Sequence, residues 1–419
     1  MTTKPKARLA KKPKAITAKT VAKPRPVLVE VPSPLAREVN FNPVLHIVGA
    51  NDRSLWSLSL PDRLAKQFSD AGVIEIVDEA RALQHTGPVV LVRADAVIDQ
   101  PLVSVIPKRP NFLLLSDDVD NPLPLAACVR SADVKAAIDV LNGNQPVSSA
   151  KLLARTPSQL GADFWKVLRK RETPYAMTLT PENQSTVEWR MFMGTYKGAT
   201  DLVTKHLWPT PAFYTTRFLA PLGVTPNMVT AVGAIMTALA FWFFLQGQFV
   251  PGLLAAWAMT FLDTVDGKLA RTTLTASKWG DVFDHGIDLI HPPFWYIAWA
   301  TGLFATGTQW SDQLFWLVMA AILGGYVLQR VIEGIAIKWL ALEIHIWRPI
   351  DTLFRQVTAR RNPNLVLLTM FTIVGRPDWG LLAVAIWTVA CLALHTVQIV
   401  QAFNEKRQNG ALSSWMTKP

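Results

Sequence analysis

Residues 263–288 read DTVDGKLARTTLTASKWGDVFDHGID, and the interpretation of the whole chain turns on them. Asp263 and Asp266 are three apart, so on a helix they project from one face. Gly280, Asp284 and Asp288 are each four apart, and on a second helix they stack in one row. Two helix ends meeting across the intervening turn would bring four carboxylates to one point. Like charges that close drive some of the acids to bind protons unless cations join them. An all-oxygen ligand set favours hard cations such as Mg²⁺ or Mn²⁺. Two metals bridged by acids can clamp a diphosphate and steady both attacking and leaving oxygens. Gly267 and Gly280 offer bare backbone for close approach of a nucleotide. Arg271 adds a fixed positive charge beside phosphates or ties the turn to a carboxylate. A single Asp near a helix end is ordinarily a cap or a solvated charge, and Asp281 reads that way.

The full pattern, D-x2-D-G-x2-A-R-x8-G-x3-D-x3-D, is matched at every fixed position. It resembles the signature of the CDP-alcohol phosphatidyltransferase family, over roughly residues 200 to 405. The resemblance implies a membrane enzyme with six transmembrane helices, acting commonly as a homodimer. Such enzymes move a substituted phosphate from a CDP-alcohol donor to an alcohol acceptor and release CMP. It further implies that Asp263, Asp266 and Asp284 hold two divalent ions, with Asp288 near them as the catalytic base. Gly267, Ala270 and Gly280 would floor the cytidine pocket, with Arg271 beside them.

Apolar segments on both sides of the motif agree with a membrane setting. Spanning takes about 20 apolar residues. Candidates are 227–246, 250–270, 281–305, 312–340, 363–377 and 380–403. Thr225-Pro226-Asn227 opens the first, with Pro at an initial helical turn where its missing N–H costs little. Lys268, Arg271 and Lys278 fall between the second and third segments. Arg348, Arg355, Arg360 and Arg361 fall between the fourth and fifth, and Lys406 and Arg407 follow the sixth. This bias puts both termini and the acid site on the cytosolic side of an inner or plasma membrane. Intramembrane charges are costly and usually functional. Arg330 and Glu333 are three apart and either neutralise one another or present Arg330 to the acceptor. Arg348, Arg360 and Arg361 are further candidates for the acceptor, with the positive-inside bias as the rival explanation. Pro292-Pro293 should kink the third segment, and His285 and His291 are expected to bond a carboxylate or the backbone rather than a metal.

The chain has 419 residues, half of them hydrophobic, and a net charge of +11. Nine Lys/Arg and no acid lie in the first 25 residues, leaving about +2 for the rest. Residues 1–38 therefore read as a basic disordered tail, attracted to anionic headgroups or simply solubilising. No nucleic-acid partner is expected. The two cysteines, Cys128 and Cys391, fall in different regions and are not expected to pair.

Residues 40–190 alternate strand and helix patterns, which predicts a soluble α/β domain with a mostly parallel sheet. Strands are expected at 43–48, Val89–Val92 and Phe112–Leu115, and helices at 61–71 and, capped, at Ser131–Leu141. The order strand, Gly turn, helix, Ala71-Gly72-Val73 is similar to a sugar-phosphate nucleotidyltransferase, in which Asp95 would correspond to the metal aspartate. The loop Gly49–Arg63, GANDRSLWSLSLPDR, departs from that family. It has one Gly and lacks the Pro-Lys of an active phosphate loop, so the domain reads as an inactive relative. An active cytidylyltransferase, making the enzyme bifunctional, is the alternative. Residues 191–225 mix charged and large apolar groups and read as an amphipathic juxtamembrane segment. The six-helix domain is placed at 226–405 and a cytosolic tail at 406–419. A six-helix transporter is the rival class. Transporters favour midplane carboxylates between repeats, whereas these acids lie at helix ends and no repeat is visible.

Overall fold

The sheet of the α/β region begins with Val44–Val48 (β1), whose short apolar run is buried at both ends. The computed structural model describes residues 42–160 and 163–417, without the side chains of Lys278, Asp281, Asp284 and His285. The basic stretch 1–38 lies outside the described residues. The other main strands are Glu75–Ile76 (β2), Val89–Arg93 (β3), Phe112–Leu115 (β4), Pro124–Val129 (β5) and Leu153–Arg155 (β6). They form a sheet in the order β2-β1-β3-β5-β4-β6 among the described residues. β1 runs parallel to β2 and β3, and β4 parallel to β6. β5 is antiparallel to both its neighbours, and the other five strands run the same way, so the sheet is mostly parallel as expected, with one reversed strand. The reason is the short 116–123 connection between β4 and β5, which permits a hairpin but no crossover.

Alternate residues of β3 face opposite ways. Val90 and Val92 pack with Leu64 and Phe68 of helix α1 (Leu60–Asp70), while Val89 and Leu91 pack with Val134 and Ala137 of helix α2 (Val134–Leu141). α1 starts where the Ser59 hydroxyl accepts from the Asp62 N–H at 3.2 Å. α2 lacks the expected side-chain cap. It is entered through a 3-10 turn at Ser131–Asp133, and Ser131 donates instead to the His85 carbonyl.

Helices α3 (Gln184–Gly194) and α4 (Pro209–Leu219) lead into the apolar helices. Phe218 is exposed on α4, whereas Phe213 is buried. There follow α5 (Pro226–Leu245), α6 (Phe249–Thr272), α7 (Lys278–Ala305), α8 (Asp312–Leu340), α9 (Arg361–Ile373) and α10 (Pro377–Asn409). α5 starts as the Thr225-Pro226 pair requires, the Thr225 hydroxyl accepting from the Met228 N–H at 3.3 Å. Among the described residues, three helices are long and apolar enough to cross a membrane: α5, α8 and α10. α6 and α7 carry the charged motif, and α9 has only 13 residues. α7 continues through Pro292 and Pro293, placing Trp295 and Trp299 in the apolar core with Phe244 and Phe249. α10 runs on to Asn409, and the chain then folds back, with the Trp415 indole donating to Thr352 at 3.0 Å.

The residues from Asn42 onward cluster as one compact unit, so the α/β region and the helices share a body. At Gly302 the backbone of α7 meets the end of α5. An added Cβ would press on the Phe244 carbonyl and lie 2.9 Å from the Gly247 nitrogen. Backbone cannot yield as a side-chain tip does. Gly302→Ala should therefore destabilise the protein by about 1–3 kcal/mol, as overpacking generally does, read as a lower thermal midpoint in detergent.

Candidate active site

α6 ends at Thr272 and α7 begins after Ser277, whose hydroxyl accepts from the Gly280 N–H at 3.0 Å. The short turn returns the chain on itself, so the acid-bearing ends of the two helices face each other. Asp263 on α6 and Asp288 on α7 converge on one guanidinium, that of Arg361 at the start of α9. Its Nη2 donates to Asp263 Oδ2 at 2.5 Å, and its Nη1 donates to Asp288. Asp266 turns towards α5, where the Thr230 hydroxyl donates to its Oδ2 at 2.6 Å. Its Oδ1 is buried and has no hydrogen-bond partner among the described residues. Asp284 lies one turn before Asp288 on α7, and its side chain lies outside the described residues.

Among the described residues, no three His, Cys, Asp or Glu side chains form a ready ligand cluster. The donor chemistry nevertheless fits a hard cation. Two carboxylates on different helices are already drawn onto one positive group, and a third has an unsatisfied buried oxygen. A buried acceptor in that state is costly unless a cation or donor joins it.

A cavity of about 550 Å³ opens beside this pair, lined by Asp263, Gly267, Ala270, Arg271, Asp288 and Arg361. Gly267 lets Arg271 lie flat on α6, since a Cβ there would stand 2.8 Å from Nη2. Gly280 is not part of the lining. A Cβ there would come within 3.1 Å of Asn227 Oδ1 and Ser277 Oγ, so it serves the close approach of α7 to α5. The cavity's far wall carries Arg330, Arg355 and Arg360. Glu333 gathers that wall: it pairs with Arg330 at 2.9 Å, with His345 at 3.0 Å, and with Arg360. Arg330 thus both neutralises Glu333 and faces the cavity. Arg348 lies elsewhere. It forms a two-pronged pair with Asp351, bonds Gln401 at 2.9 Å, and lines a separate polar pocket beside Trp415. His291 bonds the Ile287 carbonyl at 2.7 Å, the backbone contact expected of it.

Residues 223–360 match the family model described as CDP-alcohol phosphatidyltransferase. The chain carries a CDP-alcohol phosphatidyltransferase domain. An archaetidylinositol phosphate synthase of Pyrococcus horikoshii is 46% identical over 71 residues, 17% of this chain and 37% of the relative. A choline/ethanolaminephosphotransferase of Arabidopsis thaliana is 34% identical over 120 residues, 25% of this chain and 30% of the relative. A phosphatidylinositol phosphate synthase of Streptomyces avermitilis is 36% identical over 74 residues, 17% and 30% respectively. The chain thus spans about a third of the length of these curated relatives. Arg361, which holds the two aspartates together, stands just beyond the matched transferase domain.

Several residues of the site were not singled out from the sequence. Thr230 is one of two hydroxyls in an apolar run, and only its height opposite Asp266 gives it a role. Tyr196 and Arg169 reach the same cavity from outside the transferase domain. Their sequence signal is nil, because nothing local links them to the acids.

His345 sits in a short 3-10 turn, fully enclosed, and burial pushes its pKa from 6.5 down to about 3, with the Glu333 hydrogen bond opposing. The folded value lies below the unfolded one, so the neutral ring contributes stability above pH 6.5. That contribution is lost as the pH falls from 6.5 towards 3. The slope should reach about 1.4 kcal/mol per pH unit for one proton. Thermal midpoints across this range should fall less steeply in His345→Gln than in the unaltered chain.

Proposed function

We propose that this protein is an integral membrane transferase that moves a substituted phosphate from a CDP-alcohol to an acceptor hydroxyl, releasing CMP. The observation that carries the reading is the convergence of Asp263 and Asp288 on one cationic group at the edge of an arginine-walled cavity. Asp263, Asp266, Asp284 and Asp288 would hold Mg²⁺ or Mn²⁺. Divalent ions there would neutralise the diphosphate and the charge developing on the transferring phosphoryl group.

The chain's own residues supply the rest. Gly267 and Ala270 give the cytidine end a flat floor, with Gly280 behind it and Arg271 beside the phosphates. Asp288 takes the proton from the acceptor hydroxyl, whose oxygen attacks the β-phosphorus. The bond from that phosphorus to the bridging oxygen breaks, and CMP leaves as a stabilised anion without an obligatory acid. Arg330, Arg360 and Arg361 orient an anionic group of the acceptor, a task suited to forked guanidinium donors. Arg348, tied to Asp351, has no part in this arrangement.

All six helices α5 to α10 cross the membrane in this reading, with α6 and α7 accepting charge at the ends that meet the cytosol. The Lys/Arg bias supports a cytosolic site and cytosolic termini. The relatives' names include both inositol-phosphate lipid synthases and a choline/ethanolaminephosphotransferase. The donor is therefore either CDP-diacylglycerol or a soluble CDP-alcohol, and the enzyme works as a homodimer in lipid synthesis. The α/β region takes no catalytic part in this reading: its Gly49–Arg63 loop lacks the Pro-Lys of an active phosphate loop, and Asp95 is paired with Arg93 through two bonds of 2.9 and 2.7 Å.

Purified protein offered CDP-diacylglycerol or soluble CDP-alcohols should release CMP in a divalent-dependent way. Asp288→Asn should slow release by about 10²–10⁴-fold, the usual worth of a general base, while cytidine nucleotide binding survives. Loss of nucleotide binding with intact turnover would overturn the assigned roles. Substrate flux without CMP would favour a carrier.

A further inference from the structure

The α/β region meets helix α6 where the acid motif ends. Arg63, on α1, is only 3% exposed, and its Nη2 donates to the carbonyl of Thr272, the last residue of α6. It also reaches the Leu55 carbonyl at 3.4 Å. The last carbonyls of a helix have no partner within it, and a cation there complements the helix dipole. Burial pushes the guanidinium pKa down to about 10, so it stays charged at neutral pH.

A second contact reaches the back of the same helix. The hairpin joining Ser54–Leu55 to Leu58–Ser59 turns through Trp56 and Ser57, at φ 53° and 65°. A bulky side chain in this left-handed region is strained and persists only where its surroundings hold it. Here the surroundings are aromatic: Trp56 is 5% exposed and packs on Phe192 and Phe213, at 6.0 and 5.8 Å between ring centres. Val265 and Leu269 of α6 belong to this same buried cluster. A third contact comes from Lys268, whose ammonium donates to the Thr195 carbonyl at 3.1 Å and lies 3.1 Å from the Tyr196 ring centre. The final two turns of α6 are thus held by residues that precede the transferase domain.

We propose that the α/β region is a brace for the acid-bearing helix, and that Arg63 is a positioning residue for the phosphotransfer. By fixing the carbonyl end of α6, Arg63 sets where Asp263 and Asp266 stand relative to Asp288. This rests on the transferase reading above, and its test separates the two. The full chain in lipid nanodiscs is compared with Arg63→Met, which keeps bulk, and Arg63→Lys, which keeps charge. Mn²⁺ binding is followed by the spin-resonance signal of the free ion, and CMP release is followed in parallel.

Arg63→Met should weaken Mn²⁺ binding about 10-fold and slow turnover by about 10- to 100-fold, as small misplacements do, and Arg63→Lys should recover most of both. A fall in active fraction alone would lower the maximal rate but leave the half-saturating Mn²⁺ concentration unchanged. That outcome, or a folded Arg63→Met that matches the unaltered chain, would overturn the brace. If Arg63→Met does not fold, Arg63→Gln, which keeps an amide donor, answers the same question. An unaltered chain that binds Mn²⁺ yet releases no CMP would remove the transferase reading, and the Mn²⁺ comparison alone then decides the brace.

Discussion

Two carboxylates on separate helices, Asp263 and Asp288, cannot both stay ionised close together in a low-dielectric setting without a cation between them. Arg361 supplies that charge, from the first turn of a third helix. Its fork ties α6, α7 and α9 at one point and fixes the edge of the cavity. Asp266 adds a buried oxygen that has no hydrogen-bond partner among the described residues, a cost that a donor or a cation would relieve.

The cavity beside the pair is built from more than the transferase domain. Glu333 collects Arg330, Arg360 and the neutral His345 ring into one wall, so the two guanidiniums are held in place instead of swinging to solvent. The opposite side reaches Arg169, whose side chain pairs with Glu343 after α8. The α/β region therefore supplies part of the cavity's wall. Its strand-end aspartate is already paired, and its most deeply buried arginine is turned onto the backbone of α6.

Patterns that depend on neighbours in the chain were legible. The three- and four-residue spacings of the aspartates placed two helices and a turn where α6 and α7 lie. Phe112–Leu115 appeared as a strand with its observed ends. By contrast, β5 was missed because Ala126, Ala127 and Cys128 are small and lack the branched, bulky signature of a strand. Their smallness follows from burial on both faces of the sheet, which no local pattern announces. Antiparallel pairing of β5 followed from the length of a connection rather than from its composition.

In the site, what escaped was pairing over long separations. Arg361 was noticed as one of a basic run, yet its partners lie 98 and 73 residues away. Thr230 meets Asp266 across 36 residues, and Arg63 meets Thr272 across 209. Arg348 showed the reverse error. Asp351, three residues on, offered a local partner, and that pairing removed it from the acid site.

The most direct test is a crystal of the protein grown with Mn²⁺ and measured at the manganese absorption edge. The account predicts anomalous density among Asp263, Asp266, Asp284 and Asp288, with Arg361 withdrawn from the bridge. Crystals that take up manganese elsewhere, with Arg361 still joining Asp263 to Asp288, would contradict it.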